Sequence, residues 1–184
     1  QTREEEKARK EAEQAVKDSH KDLYLSKTSP VGGNPKGDVT MVEFFDYQCG
    51  YCKATQPELD AAIKADGKVK LVYKEFPILG PASLVAAKAA LASHRQGKYE
   101  AFHTALMSNK ARLDEALIFK IAADTGINTD KLKTDMESDA VKKEIDDNIA
   151  LAQKLGINGT PGFTVGSKIV PGAVKQERLK ELFK

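Results

Sequence analysis

Several features that mark common functional classes are missing from this 184-residue sequence. No apolar run approaches the roughly 18–20 residues that a membrane-spanning helix needs. Lysine and arginine (29 residues) nearly balance aspartate and glutamate (27 residues), and no basic stripe with interleaved aromatic side chains is present. Nucleic-acid binding is therefore not expected. The N-terminus carries no secretory signal peptide, which fits a mature, a trimmed or a cytosolic chain equally well.

Cysteine is scarce: only Cys49 and Cys52 occur, separated by two residues. A structural zinc site needs about four ligands. There is no second cysteine pair, and His20, His94 and His103 are far apart in the sequence. A purely structural disulfide is not expected either, because closing so small a loop removes little entropy from the unfolded chain. The remaining interpretation is a redox-active pair.

The position of the pair supports this interpretation. It follows a strand-like run from Val39 to Phe45 and leads into a helix-like run from Tyr51 to about Ala65. A cysteine at the start of a helix faces unpaired backbone N–H groups and the positive end of the helix dipole, which favour the thiolate. We therefore expect Cys49 to be acidic and reactive. Cys52, one turn further into the helix, is expected to be more shielded and able to close a disulfide with Cys49.

These residues resemble a known family. The segment Glu43–Cys52, the downstream segment Gly159–Phe163, and Pro57 in the active-site helix together resemble the DsbA-like branch of the thioredoxin superfamily. The resemblance covers about residues 31–184. Within that branch, three segments are most similar to the ScsC, or suppressor-of-copper-sensitivity, proteins. These are residues 43–49, 74–79 and 171–174.

The resemblance also implies roles for residues outside the pair. A loop with a cis-proline, here Pro161, packs against the cysteines, and the preceding residue, Thr160, touches the substrate. The Thr160 hydroxyl is expected to form a hydrogen bond at the Cys49 sulfur or at the substrate backbone. Glu43 is expected beneath the active site, where burial raises the pKa of a carboxyl and lets it influence proton transfer with the inner cysteine. Lys74, near the end of the next strand, is the expected charge partner of Glu43.

The length of 184 residues, 41% of them hydrophobic, is enough for one core and too short for two full domains. The resemblance implies the α/β class: a thioredoxin fold with a helical insertion (DsbA-like), preceded by an N-terminal helical arm. In the catalytic domain, expected at 39–184, a right-handed crossover lays a strand at 68–76 parallel to the first strand. Apolar spacing predicts the helical insertion over about 81–156, and no cofactor motif is seen there. A hairpin turn at Gly166-Ser167 and a final helix over 174–184 follow.

The first 25 residues differ in kind from the rest. They are rich in strong helix formers, and their apolar line is narrow. It consists of Ala8, Ala12, Ala15 or Val16, and Leu23. We expect this helix to have too little apolar surface to fold against a core by itself. It is either a solvated tail or an oligomerisation arm whose weak seam is buried against copies of itself. ScsC-like proteins can be trimeric through such segments, which favours a homotrimer. Residues 26–38, rich in glycine and proline, are expected to be a linker.

The function implied by the resemblance is thiol–disulfide exchange on secreted proteins. Cys49 would form a mixed disulfide with a substrate sulfur, and Cys52 would resolve it. The family's strongly oxidising prototype has a histidine between its cysteines, where this sequence has Gly50-Tyr51. Thr160 resembles the disulfide isomerases. We therefore expect a protein disulfide isomerase acting as an oligomer, with a monomeric dithiol oxidase as the alternative.

A further alternative is a Cu(I)-binding protein of copper tolerance, with Cys49 and Cys52 as ligands, because soft thiolates suit Cu(I). Met41, Met107 and Met136 are dispersed and add no ligand cluster. No cofactor is expected besides the redox-active disulfide. The resemblance implies a periplasmic location and substrates that are unfolded or carry wrong disulfides. It also implies a membrane protein as redox partner.

Overall fold

A five-stranded mixed sheet lies at the centre of the computed structural model, which describes residues 2–184. Gln1, the first residue of the predicted arm, lies outside the described residues. The strands are β1 (Val31–Gly33), β2 (Val39–Phe45), β3 (Val69–Glu75), β4 (Gly162–Val165) and β5 (Lys168–Pro171). The helices are α1 (Arg3–Asp18), α2 (His20–Tyr24), α3 (Gly50–Asp66), α4 (Pro81–His94), α5 (Tyr99–Ser108), α6 (Glu115–Asp124), α7 (Thr129–Met136), α8 (Asp139–Leu155) and α9 (Gln176–Leu182).

The strand order is β1-β3-β2-β4-β5. β2 is parallel to β3 and antiparallel to β4, so Glu43 of β2 lies between Tyr73 and Phe163. The connection from β2 to β3 runs through α3. The predicted α/β class and the predicted parallel pairing are thereby confirmed.

Different helices cover the two faces of the sheet. On one face, Met41, Phe45 and Leu71 belong to a buried cluster with α3, α9 and the helical insertion. On the other face, Val42 and Phe44 pack with the end of α8 and with the N-terminal segment. This division follows from strand geometry, since successive side chains point to opposite faces. The active-site helix α3 therefore lies on the face that carries the odd-numbered residues of β2.

Capping residues mark the ends of several helices within the insertion. Asp114 and Ser138 accept hydrogen bonds from the third residue beyond them and cap α6 and α8. The cap of α7 is Asn128, whose side chain accepts a hydrogen bond from the Lys131 N–H. Gly156, with a φ of 71°, ends α8. Within residues 2–184, no helix combines the length and apolar character that crossing a membrane requires.

The segment predicted as a linker, 26–38, is anchored to the domain. Its residues Val31–Gly33 form β1, which pairs antiparallel with β3 at the edge of the sheet. Just before it, Ser29 donates a hydrogen bond to Glu144 of α8 at 2.5 Å and accepts one from Lys74 of β3 at 2.7 Å. The sheet therefore begins before the domain boundary expected at residue 39.

The glycines of this segment serve packing as well as turns. A Cβ on Gly32 would lie 2.5 Å from both the Tyr73 hydroxyl and the Glu100 carboxylate. Gly33 has a φ of 63°, which disfavours other residues. A composition typical of a flexible linker thus conceals a strand that needs glycine for close approach.

The N-terminal segment is divided between exposed and buried parts. Every residue from 2 to 11 is exposed, whereas Val16, Leu23 and Tyr24 are buried against the sheet. The Tyr24 hydroxyl also donates a hydrogen bond to the Gly166 carbonyl of the β4–β5 turn at 2.9 Å. The expectation that this segment cannot pack on the core is wrong for its second half. Its first half presents an unpacked, highly charged helix.

Candidate active site

Cys49 occupies the N-cap position of α3, directly after the loop that leaves β2. Its sulfur accepts a hydrogen bond from the Cys52 N–H at 3.2 Å. Its own N–H donates to the Asp46 carbonyl at 3.1 Å, which fixes the entry into the helix. Both cysteines are free thiols, with exposed fractions of 6% for Cys49 and 1% for Cys52. Both cysteines are thus buried, Cys52 slightly more than Cys49.

The two thiols have opposite acidities. The hydrogen bond from the Cys52 thiol, with contributions from Thr160 and from the backbone N–H groups of Cys52 and Tyr51, lowers the pKa of Cys49 to about 6. Burial opposes this shift without cancelling it. The same hydrogen bond to Cys49, together with burial, raises the pKa of Cys52 far above its usual range. At neutral pH, Cys49 is mainly the thiolate and Cys52 remains protonated, which suits a nucleophile and a resolving thiol.

The Thr160–Pro161 loop lies against Cys49, and its peptide bond is cis. In the thiol form, Cys49 donates a hydrogen bond to the Thr160 carbonyl at 3.4 Å. The following residues begin β4, where Gly162 pairs with Phe44 of β2. The sheet thereby brings together two motifs that lie more than a hundred residues apart in the chain.

Glu43 lies beneath the pair and is buried, with 1% of its surface exposed. Its Oε1 atom has no hydrogen-bond partner within residues 2–184. Burial, followed by the negative charges of Asp60 and Cys49, raises the pKa of Glu43 to about 8. In turn, the charge of Glu43 contributes to the raised pKa of Cys52. A carboxyl with this pKa can both accept and release a proton near neutral pH.

The expected pairing of Glu43 with Lys74 is wrong. Glu43 is the cross-strand neighbour of Tyr73, so Lys74 points to the opposite face of the sheet. There its ammonium group donates to Ser29 at 2.7 Å, and the charge of Glu144 opposes the lowering of its pKa by burial. The active-site carboxyl thus has no cationic neighbour from β3.

Asp46 is a buried carboxylate that the sequence motifs did not identify. Its two oxygens accept four hydrogen bonds. The donors are the N–H groups of Gln48, Ile78 and Leu79, at 2.8, 2.8 and 3.0 Å, and the Ser83 hydroxyl, at 2.7 Å. Asp46 therefore ties the loop before Cys49 to the loop after β3 and to the start of α4.

A second group of buried polar residues joins this loop to the helical insertion. One oxygen of the Glu75 carboxyl accepts hydrogen bonds from Tyr47 at 2.8 Å and Tyr99 at 2.7 Å. Tyr47 also contacts His103 Nδ1 at 2.8 Å. Burial raises the pKa of Glu75 and lowers that of His103 to about 3, so His103 is neutral. His103, which appeared as an isolated histidine in the sequence, is a member of this network.

Several large apolar side chains are exposed between the cysteines, in the loop after β3 and at the start of α4. Tyr51, between the cysteines, is 71% exposed, and Ile78, Leu79 and Leu84 are also exposed. Gln48 donates a hydrogen bond to the Leu79 carbonyl at 3.2 Å, so this loop lies beside the active-site loop. Within residues 2–184, no group of three or more histidine, cysteine or acidic residues is arranged to hold a metal ion.

Comparison with known proteins agrees with this geometry. A family model described as a DSBA-like thioredoxin domain matches residues 40–184. The chain belongs to this family. The resemblance expected from the sequence is thereby confirmed.

Solved structures give the same result. A thioredoxin-like oxidoreductase from Silicibacter pomeroyi DSS-3 is 49% identical, with a TM-score of 0.87, over 88% of this chain and 94% of that one. A linker-deletion mutant of Proteus mirabilis ScsC is 31% identical, with a TM-score of 0.89, over 97% and 83%. A periplasmic thioredoxin-like protein from Salmonella enterica serovar Typhimurium is 28% identical, with a TM-score of 0.82, over 89% and 92%.

Curated relatives differ in length. The thiol:disulfide interchange protein DsbA of Bordetella pertussis is 26% identical over 156 residues, which are 82% of this chain and 74% of that protein. The Na(+)/H(+) antiporter NhaA 3 of Salinispora tropica is 25% identical over 151 residues. That match covers 81% of this chain and 23% of the antiporter. The chain thus spans less than a quarter of that relative.

Proposed function

We propose that this chain carries out thiol–disulfide exchange on proteins through Cys49 and Cys52. The observation that supports this most strongly is the Cys49 sulfur at the N-cap of α3, hydrogen-bonded to the Cys52 N–H and lying against the Thr160–Pro161 loop. The DsbA-like family and the opposite acidities of the two thiols agree with it.

In the proposed reaction, the Cys49 thiolate attacks a substrate disulfide and forms a mixed disulfide, releasing one substrate thiolate. The Cys52 thiol then passes its proton to the Glu43 carboxylate and attacks the Cys49 sulfur. The second substrate thiolate leaves, and two electrons have passed from the cysteine pair to the substrate. In isomerisation, the first substrate thiolate, or another one, attacks the mixed disulfide before Cys52 does. Cys49 is then released reduced, and the substrate holds a new disulfide.

We further propose that isomerisation is the main activity. Gly50-Tyr51 between the cysteines offers no histidine, and threonine precedes the cis-proline. The apolar side chains Tyr51, Ile78, Leu79 and Leu84 are exposed and would be available for contact with unfolded chains. A dithiol oxidase that acts as a monomer is the competing function, since the same thiols support it.

The location and partners follow from the same proposal. One relative of known structure is described as periplasmic. We propose a periplasmic location for this chain and, as substrates, secreted proteins that are unfolded or carry wrong disulfides. A membrane redox protein would return the pair to its working state. The chemistry uses the cysteine pair itself and calls for no bound cofactor.

We propose that the exposed first half of the N-terminal segment is an oligomerisation arm, with a trimer as the preferred assembly. Residues 2–11 are exposed, and their charged helix is stabilised by ion pairs such as Lys10 with Glu6 at 3.0 Å. Several linked active sites increase the chance that a misfolded chain is captured again before it leaves.

The structure determines how this proposal is best tested. Deleting everything up to Ser26 would also remove Val16, Leu23 and Tyr24 from the core, so lost activity could reflect damage to the domain. A chain lacking residues 1–11 keeps these contacts. The test is reactivation of a scrambled, fully oxidised protein by the full chain and by this shorter chain, with molar mass measured by light scattering.

We expect the full chain to be oligomeric and to reactivate the scrambled protein. The shorter chain should be monomeric, should reactivate poorly and should keep its exchange with small disulfides. Poor reactivation by both, with rapid oxidation of reduced substrate by both, would make the protein an oxidase.

Cys49→Ser should abolish exchange, and Cys52→Ser should accumulate mixed disulfides. Full turnover by Cys52→Ser would refute the two-cysteine mechanism.

A further inference from the structure

The proposed proton acceptor, Glu43, is closed off from solvent on the side of the cysteine pair. Its exposed fraction is 1%, and Cys52 above it is equally buried. One of its oxygens has no hydrogen-bond partner within residues 2–184. A carboxyl that accepts a proton in each cycle must also release it. The proton on Glu43 therefore needs a route to solvent that does not pass the cysteine pair.

The spacing of polar residues along α3 indicates where this proton route lies. Cys52, Gln56 and Asp60 follow one another at intervals of four residues, so they lie along one side of α3. Eight residues of helix place Asp60 roughly 12 Å beyond Cys52 along the axis. Gln56 donates a hydrogen bond to Asp60 at 2.8 Å. The inner cysteine and the exposed carboxylate of Asp60 thus lie on one face of the helix, with Gln56 between them.

A cavity opens at that end of the helix. It has a volume of about 830 Å³ and is lined, among others, by Gln56, Asp60 and Tyr73. Tyr73 is the cross-strand neighbour of Glu43 and points to the same face of the sheet. A cavity of this size, lined in part by the charged side chains Asp60, Lys64 and Glu100, admits many water molecules. It therefore extends from bulk solvent to the immediate neighbour of the buried carboxyl.

We propose that Asp60 exchanges protons between Glu43 and solvent through this cavity, and that it acts as a proton-positioning residue for the Cys52 step. This rests on the proposed thiol–disulfide exchange. When Cys52 attacks the mixed disulfide, its proton goes to the Glu43 carboxylate. The resulting carboxylic acid gives the proton to the Asp60 carboxylate through water, and Asp60 releases it to the cavity. In the reverse direction, the proton follows the same route back to the Cys52 thiolate.

The charges around the two carboxyls agree with this assignment. Glu43 is faced by Cys49 and Cys52 from the active-site turn, by Asp60 from α3 and by Tyr73 from β3. The negative charge of Asp60 is the second largest cause of the raised pKa of Glu43, after burial, which indicates that the two carboxyls interact. Lys64 on α3 and Glu100 on α5 line the same cavity around Asp60.

The test is Asp60→Asn in the full chain, with Glu100→Gln as the matched control. Glu100 is another exposed carboxylate of the same cavity, but it belongs to α5 and is not part of the series Cys52, Gln56 and Asp60 along α3. The resolving step is measured by rapid quench from a preformed mixed disulfide between pH 5 and 9, and the attack by Cys49 is measured separately by alkylation. Imidazole, a small diffusible proton carrier, is added in a second series, and Asp60→Glu restores the carboxylate.

We expect Asp60→Asn to slow the resolving step about tenfold near pH 7, part of the roughly 10²–10⁴ that positioned proton transfer contributes. Alkylation of Cys49 should be almost unchanged, whereas imidazole and Asp60→Glu should restore the resolving rate. Glu100→Gln should resemble the wild type. An unchanged resolving rate in Asp60→Asn, an equal loss in Glu100→Gln, or a loss that imidazole does not reverse would overturn the proposal. If the wild type itself fails to resolve mixed disulfides, the proposed function fails instead.

Discussion

Glu43 and Asp46 are two buried carboxyl groups, three residues apart at the end of β2. They differ in the number of hydrogen bonds that their oxygens accept. Asp46 accepts four hydrogen bonds, from the active-site loop, the loop after β3 and α4. Glu43 has an oxygen without any partner within residues 2–184. A carboxylate whose oxygens accept several hydrogen bonds holds the donating segments in place. A buried carboxyl oxygen without a hydrogen-bond partner leaves the charged form unstabilised, so the pKa of that carboxyl is raised. We infer that Asp46 holds the active-site loop in place and that Glu43 tunes the chemistry beneath it.

The largest effect that tests this contrast is expected for Asp46→Ala. The change leaves four donors without their acceptor, so the free energy of unfolding should fall by about 2–4 kcal/mol. Urea denaturation of the reduced protein measures the loss. The control is Asp66→Ala, because Asp66 is exposed and accepts a single hydrogen bond from the Lys68 N–H. If Asp46→Ala were no more damaging than this control, Asp46 would not anchor the loop.

Glu43→Gln should affect stability in a way that depends on pH. The pKa of Glu43 is about 8 in the folded protein against an ordinary 4.5, so its contribution is fully present below pH 4.5 and is lost as the pH rises through 8. Glutamine cannot ionise, so the variant should lose less stability than the wild type between pH 4.5 and 8.5. The difference should amount to a few kcal/mol at most.

Urea denaturation at several pH values measures this difference, and Glu115→Gln, which alters an exposed glutamate, serves as the control. The control should follow the wild-type pH dependence. Parallel pH curves for the wild type and Glu43→Gln would mean that Glu43 ionises normally, and the contrast with Asp46 would lose its basis.

The smallest effect is expected for Thr160→Val. Thr160 is one of several groups that lower the pKa of Cys49, so its removal should raise that pKa by less than about one unit. We also expect the balance of activities to move from isomerisation towards oxidation. Alkylation of Cys49 as a function of pH and parallel assays of both activities check this. If the pKa of Cys49, the isomerisation rate and the oxidation rate were all unchanged, the Thr160 side chain would have no role in tuning the site.

The sequence predicted the parts of the site that adjoin the cysteines in the chain or that belong to recognisable motifs. The strand before Cys49, the helix after it and the Thr160–Pro161 loop were predicted within a residue or two. Local signals suffice there, because a helix N-terminus and a strand of apolar residues are each determined by a few neighbouring side chains.

The partners of buried polar groups could not be predicted in this way. Three of the four donors to Asp46 come from residues 32 to 37 positions away. Glu75 and its two tyrosines are divided among β3, the active-site loop and α5. Lys74 was assigned to Glu43 because both lie on neighbouring strands. The register, which the sequence does not reveal, decides which side chains share a face.

The N-terminal segment shows a different limit of sequence patterns. Its narrow apolar line predicted an unpacked helix, yet three bulky residues at its end suffice to bury that end on the sheet. Strand β1 was concealed by two glycines, of which Gly32 is required by the packing of Tyr73 and Gly33 by the close approach of the Val69 carbonyl. In both places, a few contacts outweigh the average composition of the segment.

The opposite acidities of the two thiols can be tested by the alkylation rate of each cysteine in the reduced wild-type protein, from pH 4 to 10, followed by mass spectrometry. Cys49 should react with a midpoint at pH about 6, and Cys52 should stay unreactive at neutral pH. A midpoint for Cys49 near the ordinary value of 9.0, or modification of Cys52 before Cys49, would contradict this prediction.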